Sequence, residues 1–411
     1  MVASTQIEPR RDRARERRAR RRARLVRRLL LPLFALVVIA AIVVGVALGT
    51  RGEPTAASSP SATGSPEMGG SPEAGGSTPP SSAAADTAGS AADAGAGATA
   101  GTTGASNGSP ADTPVTPARA RDLAANEMGL IPVLMYHKIG YDIVPPPRLW
   151  QDIQQLKEAG FWPATVRELA EGLAEIPAGK SAVVFTFDDS SPTHYRILED
   201  GSIDSDSAMG IIRNAAKTGD WAVKATFFPL IEVNAANTLF GQPEYADEKL
   251  RNMVEWGCEI GSHTLTHPDL SVASPATIAK ELAQSQAKLE ARIGDGYEVF
   301  TLSPPYGEYP DDASVLVSGE YEGVTYRYSA VVLAGGESGP SPFSSRFDPI
   351  RIPRITAYPK NTVPNLIQFF QSHPGLRYVS DGDPDTISLP LDLAESLGTP
   401  RTDLTQSIVR Y

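Results

Sequence analysis

Residues 181–189 read SAVVFTFDD, a strand-like apolar run that stops on two adjacent carboxylates. About 75 residues further on, GSHTLTH at 261–267 places two imidazoles four positions apart. One carboxylate and two imidazoles suit a mononuclear metal site, and such a site with a second carboxylate beside it points to hydrolytic chemistry. Any fold for this chain must therefore bring the end of one strand against a segment far away in sequence.

The runs around these two motifs alternate in period. IPVLMYH (131–137) is followed by the helical RLWQDIQQLKEAG, then by SAVVFTFDD. A helical MGIIRNAAK precedes the strand-like VKATFFPL (223–230). Next come CEIGSH (258–263), the helix TIAKELAQSQAKLEARIG (277–294), and strands EVFTLSP (298–304) and RYSAVVLAG (327–335). Repeated strand, helix, strand order implies an α/β fold with parallel pairing, and polar residues at strand C-termini imply a site on that face. Residues 126–411 are of a size that suits one α/β barrel around a single core.

The chain ahead of this body has a different composition. Residues 1–28 hold twelve Arg against Glu8, Asp12 and Glu16, a balance of +9, while the whole chain carries −11 and the remainder therefore −20. A body so acidic argues against nucleic acid as its partner, because phosphate binding needs clustered Lys or Arg on the domain itself. Residues 29–49 carry no charge and, at about 1.5 Å per helical residue, span roughly 31 Å, which matches a bilayer core. The expectation is a signal anchor at 29–50 with a cytoplasmic basic tail, and hence a single-pass cell-membrane protein with its body outside. Residues 51–125 are Ser, Gly, Ala, Thr and Pro with few large apolar side chains, so they read as a disordered tether of typical span about 45 Å. Cys258 is the only cysteine, which excludes an intrachain disulfide and leaves it a small buried residue.

TFDD, HTLTH and PPYG, in that order, resemble the polysaccharide deacetylases of carbohydrate esterase family 4, the NodB-homology group. The resemblance covers about residues 130–355. PVLMYHKI (132–139) and DPIRIPRI (348–355) are similar to the circularly permuted branch that includes poly-β-1,6-N-acetylglucosamine deacetylases. It implies a distorted (β/α) barrel, a glycan substrate in wall or exopolysaccharide, and a divalent cation, Zn²⁺ first, with Co²⁺, Ni²⁺ or Fe admitted by the donor set. The rival readings are a deacylase of another amide or an O-acetyl ester, and an inactive membrane-tethered glycan-binding protein.

Two adjacent Asp at a strand end point in different directions and can divide the work of metal ligand and proton acceptor. The resemblance makes Asp188 the general base and Asp189 the ligand. His263 and His267, read as one helical turn apart, would put both rings on one side for a shared ion. By resemblance the N–H of Tyr306 in SPPYG faces an oxyanion, and His137 of MYH is the catalytic acid, since the usual C-terminal LxH is absent. Most members carry Arg where this chain has Ser303, which removes the residue expected to orient the base; Arg354 of IPRI is the candidate substitute. His194 and His373 have no motif around them and read as surface residues. The segment 190–208 is longer than the family needs and reads as a solvated or substrate loop.

Overall fold

The computed structural model describes residues 114–358 and 361–411. The expected tail, anchor and most of the tether lie outside the described residues, among which no helix is long and apolar enough to cross a membrane. Order begins earlier than the tether boundary at 125. Helix α1 (Pro117–Leu123) is capped by Thr116, whose hydroxyl accepts from the Arg119 N–H, and Pro117 takes the first helical position. Ala120 and Ala125 are buried in a small apolar cluster with Leu123, Val409 and Tyr411, so this stretch is held by the end of the chain.

Strand β1 (Val133–Tyr136) leads through helix α2 (Pro146–Glu158), strand β2 (Phe161–Ala164) and helix α3 (Val166–Glu171) to strand β3 (Ser181–Asp188). Helix α4 (Ala208–Ala216), strand β4 (Thr226–Phe228), helix α5 (Ala246–Glu255), strand β5 (Glu259–Ile260) and helix α6 (Pro275–Ile293) follow. Then come strand β6 (Thr301–Leu302), the hairpin β7 (Ser318–Tyr321) and β8 (Val324–Arg327), and strands β9 (Ala330–Val331) and β10 (Ile355–Thr356). Helix α7 (Thr362–Ser372) and the pair β11 (Thr386–Leu389) and β12 (Ser407–Arg410) end the chain. Local chemistry sets the helix starts: Ser207 and Ser274 each accept from the N–H three residues on, and Thr165 with Glu168 forms a capping box.

All eight residues of β3 are buried, as befits the middle strand of a parallel sheet covered on both faces. β3 pairs with β1 on one side and with β4 on the other, where β2 takes its first half; β10 joins β1, and β5 joins β4. Past β5, a parallel bridge joins Ser262 to Leu302, β6 pairs with β9, and a parallel bridge joins Val332 to Ile352, just before β10. The path thus returns to β1 and closes a distorted barrel, with every pairing around it parallel. The C-termini of the strands around the barrel therefore reach one rim, as the alternating sequence predicts.

Tyr136, Phe187 and Phe227 stack in the core, with ring centroids 5.4 and 4.8 Å apart. Burying a side chain of this kind contributes about 1.5–3 kcal/mol. The last residues clasp the first: Asn126 and Val379 exchange backbone hydrogen bonds, and Gly129 passes so close that a Cβ would lie 2.2 Å from the Arg377 carbonyl carbon.

Candidate metal centre and its flanking residues

Strand register builds the site. Tyr136 is level with Phe187, so the next residues, His137 and Asp188, reach the rim together. Ser262 is level with Leu302, which sets His263 beside Ser303. Asp188 ends β3; Asp189 leaves the strand at φ 74°, so its carboxylate points away from that of its neighbour. Asp189 Oδ1 lies 3.2 Å from His263 Nε2 and 3.4 Å from His267 Nε2, and the three ligand atoms sit within 4.8 Å of one another.

The His pair reaches this arrangement without a helix. Residues 261–268 form an irregular loop in which Thr264 (φ 67°) and His267 (φ 61°) are left-handed, so the expected helical turn is corrected to a tight turn. Thr264 Oγ1 accepts from the His267 N–H at 3.1 Å and closes it. Glu281 of α6 holds the loop from behind, accepting from the N–H groups of Leu265 and Thr266 and from the Thr266 hydroxyl at 2.7–2.9 Å. Among the described residues, Asp189, Ser190, Thr264, His267 and Tyr306 are five of the eleven non-glycine residues at positive φ. Such backbone costs of order 1–3 kcal/mol per residue, and its gathering here marks the site. Gly261 is required for closeness: a Cβ there would meet Thr301 Oγ1 at 2.3 Å and the Phe228 ring at 2.5 Å.

The donor set fits a divalent cation. His263 Nδ1–H donates to the Ser303 carbonyl at 2.6 Å, so in the neutral ring the Nε2 lone pair faces Asp189. Two lone pairs at this distance repel unless a cation or proton lies between them. Burial works against the charged imidazole of His263, but Asp189 and Asp188 outweigh it and raise its pKa. Burial likewise opposes the Asp189 anion, and the two histidines hold its pKa far below the carboxylate range.

Asp188 is bound in another way. Arg354, 1% exposed, places all five of its N–H donors: Nε on the Leu333 carbonyl, Nη1 on Thr186 Oγ1 and Asp188 Oδ1, Nη2 on Asp188 Oδ2 and Ser303 Oγ. Ser303 Oγ in turn donates to Asp188 Oδ2 at 3.1 Å. Burial alone would raise the Asp188 pKa, yet the Arg354 guanidinium, with His263 behind it, lowers it. The guanidinium beside Asp188 thus comes from Arg354, the residue just before β10, and Ser303 is the small residue that bonds to both.

His137 is half-buried, with Nδ1 3.1 Å from the Tyr358 hydroxyl. His194 corrects the surface expectation. It is fully buried among Phe187, Phe227 and Phe240, its ring is bonded through Nε2 to the His137 carbonyl, and burial pushes its pKa down to about 3. The neutral ring therefore donates Nε2–H. His373 is exposed as expected, and Cys258 is buried, with its thiol pushed up to about 12 by that burial. Tyr306, 66% exposed, caps the site with its ring 4.7 Å from that of His267. Sequence reasoning missed Tyr358, Glu281 and the clamp made by His194; none sits in a motif, and the position of Tyr358 beside His137 follows only from the register of β10 with β1.

Residues 175–324 match the family model described as polysaccharide deacetylase. The matched span holds Asp188, Asp189, His263, His267, Ser303 and Tyr306, while His137, Arg354 and Tyr358 flank it. YxkH of Bacillus subtilis (strain 168) is 23% identical over 186 residues, which is 44% of this chain and 58% of that protein. This chain thus spans under two thirds of the curated relative's length. Among solved structures, the Streptococcus pyogenes deacetylase PplD in complex with acetate is 23% identical, covers 58% of this chain and 97% of its own, and has a TM-score of 0.42. IcaB from Ammonifex degensii is 18% identical, with 59% and 97% covered and a TM-score of 0.42. Residues 175–324, with the FDD, HTLTH and PPYG motifs inside them, are thus similar to the polysaccharide deacetylase family.

Proposed function

We propose that the protein removes N-acetyl groups from N-acetylglucosamine units of a cell-surface polysaccharide, in a hydrolysis that depends on a divalent cation. The observation that carries this reading is the division of labour between two adjacent carboxylates: Asp189 faces His263 and His267, and Asp188 is locked by Arg354. Asp189, His263 and His267 would hold the cation, Zn²⁺ first with Co²⁺ or Ni²⁺ as alternatives, which supplies carbonyl polarisation and a water acidic enough for a weak base to deprotonate.

Asp188 takes that proton. Oδ2 already accepts from Arg354 and Ser303, while Oδ1 accepts only from Arg354 and keeps a lone pair for the water. The N–H of Tyr306 is the candidate donor to the oxyanion as it forms. His137 gives a proton to the departing amine as the C–N bond breaks, leaving acetate and an amino sugar. The locked Asp188 supports turnover over a binding-only role, because a carboxylate held ionised in the core costs desolvation that a binding protein has no reason to keep.

The apolar run at 29–49 and the tether behind it support a membrane-anchored enzyme whose domain works outside the cell on wall or exopolysaccharide glycan. The test is acetate release by the full-length protein, metal-stripped and then reloaded, on peptidoglycan, β-1,6-linked N-acetylglucosamine oligomers and acetylated xylan. Release from either amide polymer, lost on stripping and restored by metal, is the expected result. Release from xylan alone moves the reading to an O-acetyl esterase, and release indifferent to stripping overturns the metal dependence.

A further inference from the structure

We infer that Tyr358 is the positioning residue for His137, fixing the imidazole so that its Nε2 alone serves as the proton-donating atom. The inference rests on the reading of His137 as the acid. Register makes the pairing: Leu134 is level with Ile355 and Met135 with Thr356, and continuing the parallel ladder sets His137 level with Tyr358. The hydroxyl is 3.1 Å from Nδ1, and the rings meet edge to face at 5.8 Å and 78°, so the phenol lies against one nitrogen and leaves the other open.

The chemistry needs that asymmetry. The imidazolium gives up its Nε2 proton to the amine while the C–N bond breaks, and the neutral ring left behind keeps Nδ1–H, donated to the Tyr358 oxygen. The same bond therefore exists before and after transfer, so no ring flip or tautomer exchange is required between turnovers. A phenol is also neutral at working pH; a carboxylate in its place would favour the charged imidazolium and make it a poorer acid. The backbone is held from the other side by the His194 ring, bonded to the His137 carbonyl. Ring and backbone are thus fixed independently.

The experiment uses the full-length, metal-loaded protein and two substrates: an N-acetylglucosamine oligomer, whose amine must be protonated to leave, and p-nitrophenyl acetate, whose phenolate leaves unaided. Tyr358→Phe keeps the ring and removes the hydroxyl. It is expected to lower kcat on the oligomer about tenfold, with KM within about twofold and aryl acetate turnover unchanged. His137→Gln should lose about 10²–10⁴-fold on the oligomer only, the usual worth of a general acid. Equal loss on both substrates in Tyr358→Phe would make the tyrosine merely structural. Wild-type rates in Tyr358→Phe, with the oligomer still lost in His137→Gln, would overturn the positioning role and leave the acid intact. Full oligomer turnover by His137→Gln would overturn both. If aryl acetate is too slow to follow, the imidazole ¹⁵N shifts of His137 decide: a single Nδ1–H tautomer in the wild type that becomes mixed in Tyr358→Phe supports the inference, and no change overturns it.

Discussion

Arg354 and Asp188 meet fork to fork across 166 residues of chain, with both N···O distances at 2.8 Å. Neither side chain is more than 3% exposed, so the pair is screened from water and aligned by two bonds rather than one. A third group, Ser303, bonds to both partners and through its carbonyl to His263. The proposed base and a proposed metal ligand are therefore oriented by one connected set of residues.

Lysine at 354 keeps the charge but loses the fork. Arg354→Lys is expected to lower kcat for acetate release by about 10–100-fold while the protein stays folded. Arg354→Ala leaves a buried carboxylate without a partner and is expected to cost about 3–5 kcal/mol of stability, read by denaturant unfolding. Unchanged kcat in the lysine variant would show that alignment of Asp188 is not needed.

Restoring the family's usual arginine should harm this chain. Ser303 is fully buried and the guanidinium of Arg354 already occupies the space beside Asp188. Ser303→Arg is expected to lower stability by about 1–3 kcal/mol or more through overpacking and like charge. Combining it with Arg354→Ala should recover part of the loss, which thermal unfolding of the single and double variants would reveal as non-additivity.

Glu281 touches no ligand atom yet holds the turn between His263 and His267. Glu281→Ala should let that turn relax from its left-handed backbone and weaken divalent-cation affinity by about 10–100-fold, measured by competitive chelator titration. Wild-type affinity would mean that the turn is held without Glu281, by the Thr264 side chain.

Far from the rim, Glu127 lies buried beside Asp381 and accepts from the Ser388 N–H. Burial, then the Asp381 charge, raises its pKa well above 4.5. The folded state therefore holds this proton more tightly than the unfolded one. The stability it contributes is complete below about pH 4.5 and is lost as pH rises through the folded value. Glu127→Gln, which mimics the protonated form, should flatten this alkaline decline in Tm. An identical pH profile in the two proteins would contradict the assignment.

The strands and helices were legible because the chain alternates between two periods, and the rim position of the polar residues followed from parallel order. That one carboxylate and two imidazoles would meet was legible from residue types, whereas the choice of Asp189 over Asp188 came from the family resemblance. The geometry was not legible: spacing of four between His263 and His267 fits a helix as well as a turn, and only the positive φ at Thr264 and His267 distinguishes them. Arg354 could be named because IPRI resembles a motif, whereas Tyr358 sits in no motif and depends on which strands are neighbours. His194 misled for a related reason: its three aromatic neighbours come from β3, β4 and a 3₁₀ turn at Leu239–Gly241, which no local window contains.

The most direct test of the central claim is to measure bound metal and acetate release together in the wild type, Asp188→Asn and Asp189→Asn. The account requires near-stoichiometric metal without acetate release in Asp188→Asn, and loss of both in Asp189→Asn. Full release by Asp188→Asn, or full metal retention by Asp189→Asn, would contradict the division of roles between the two carboxylates.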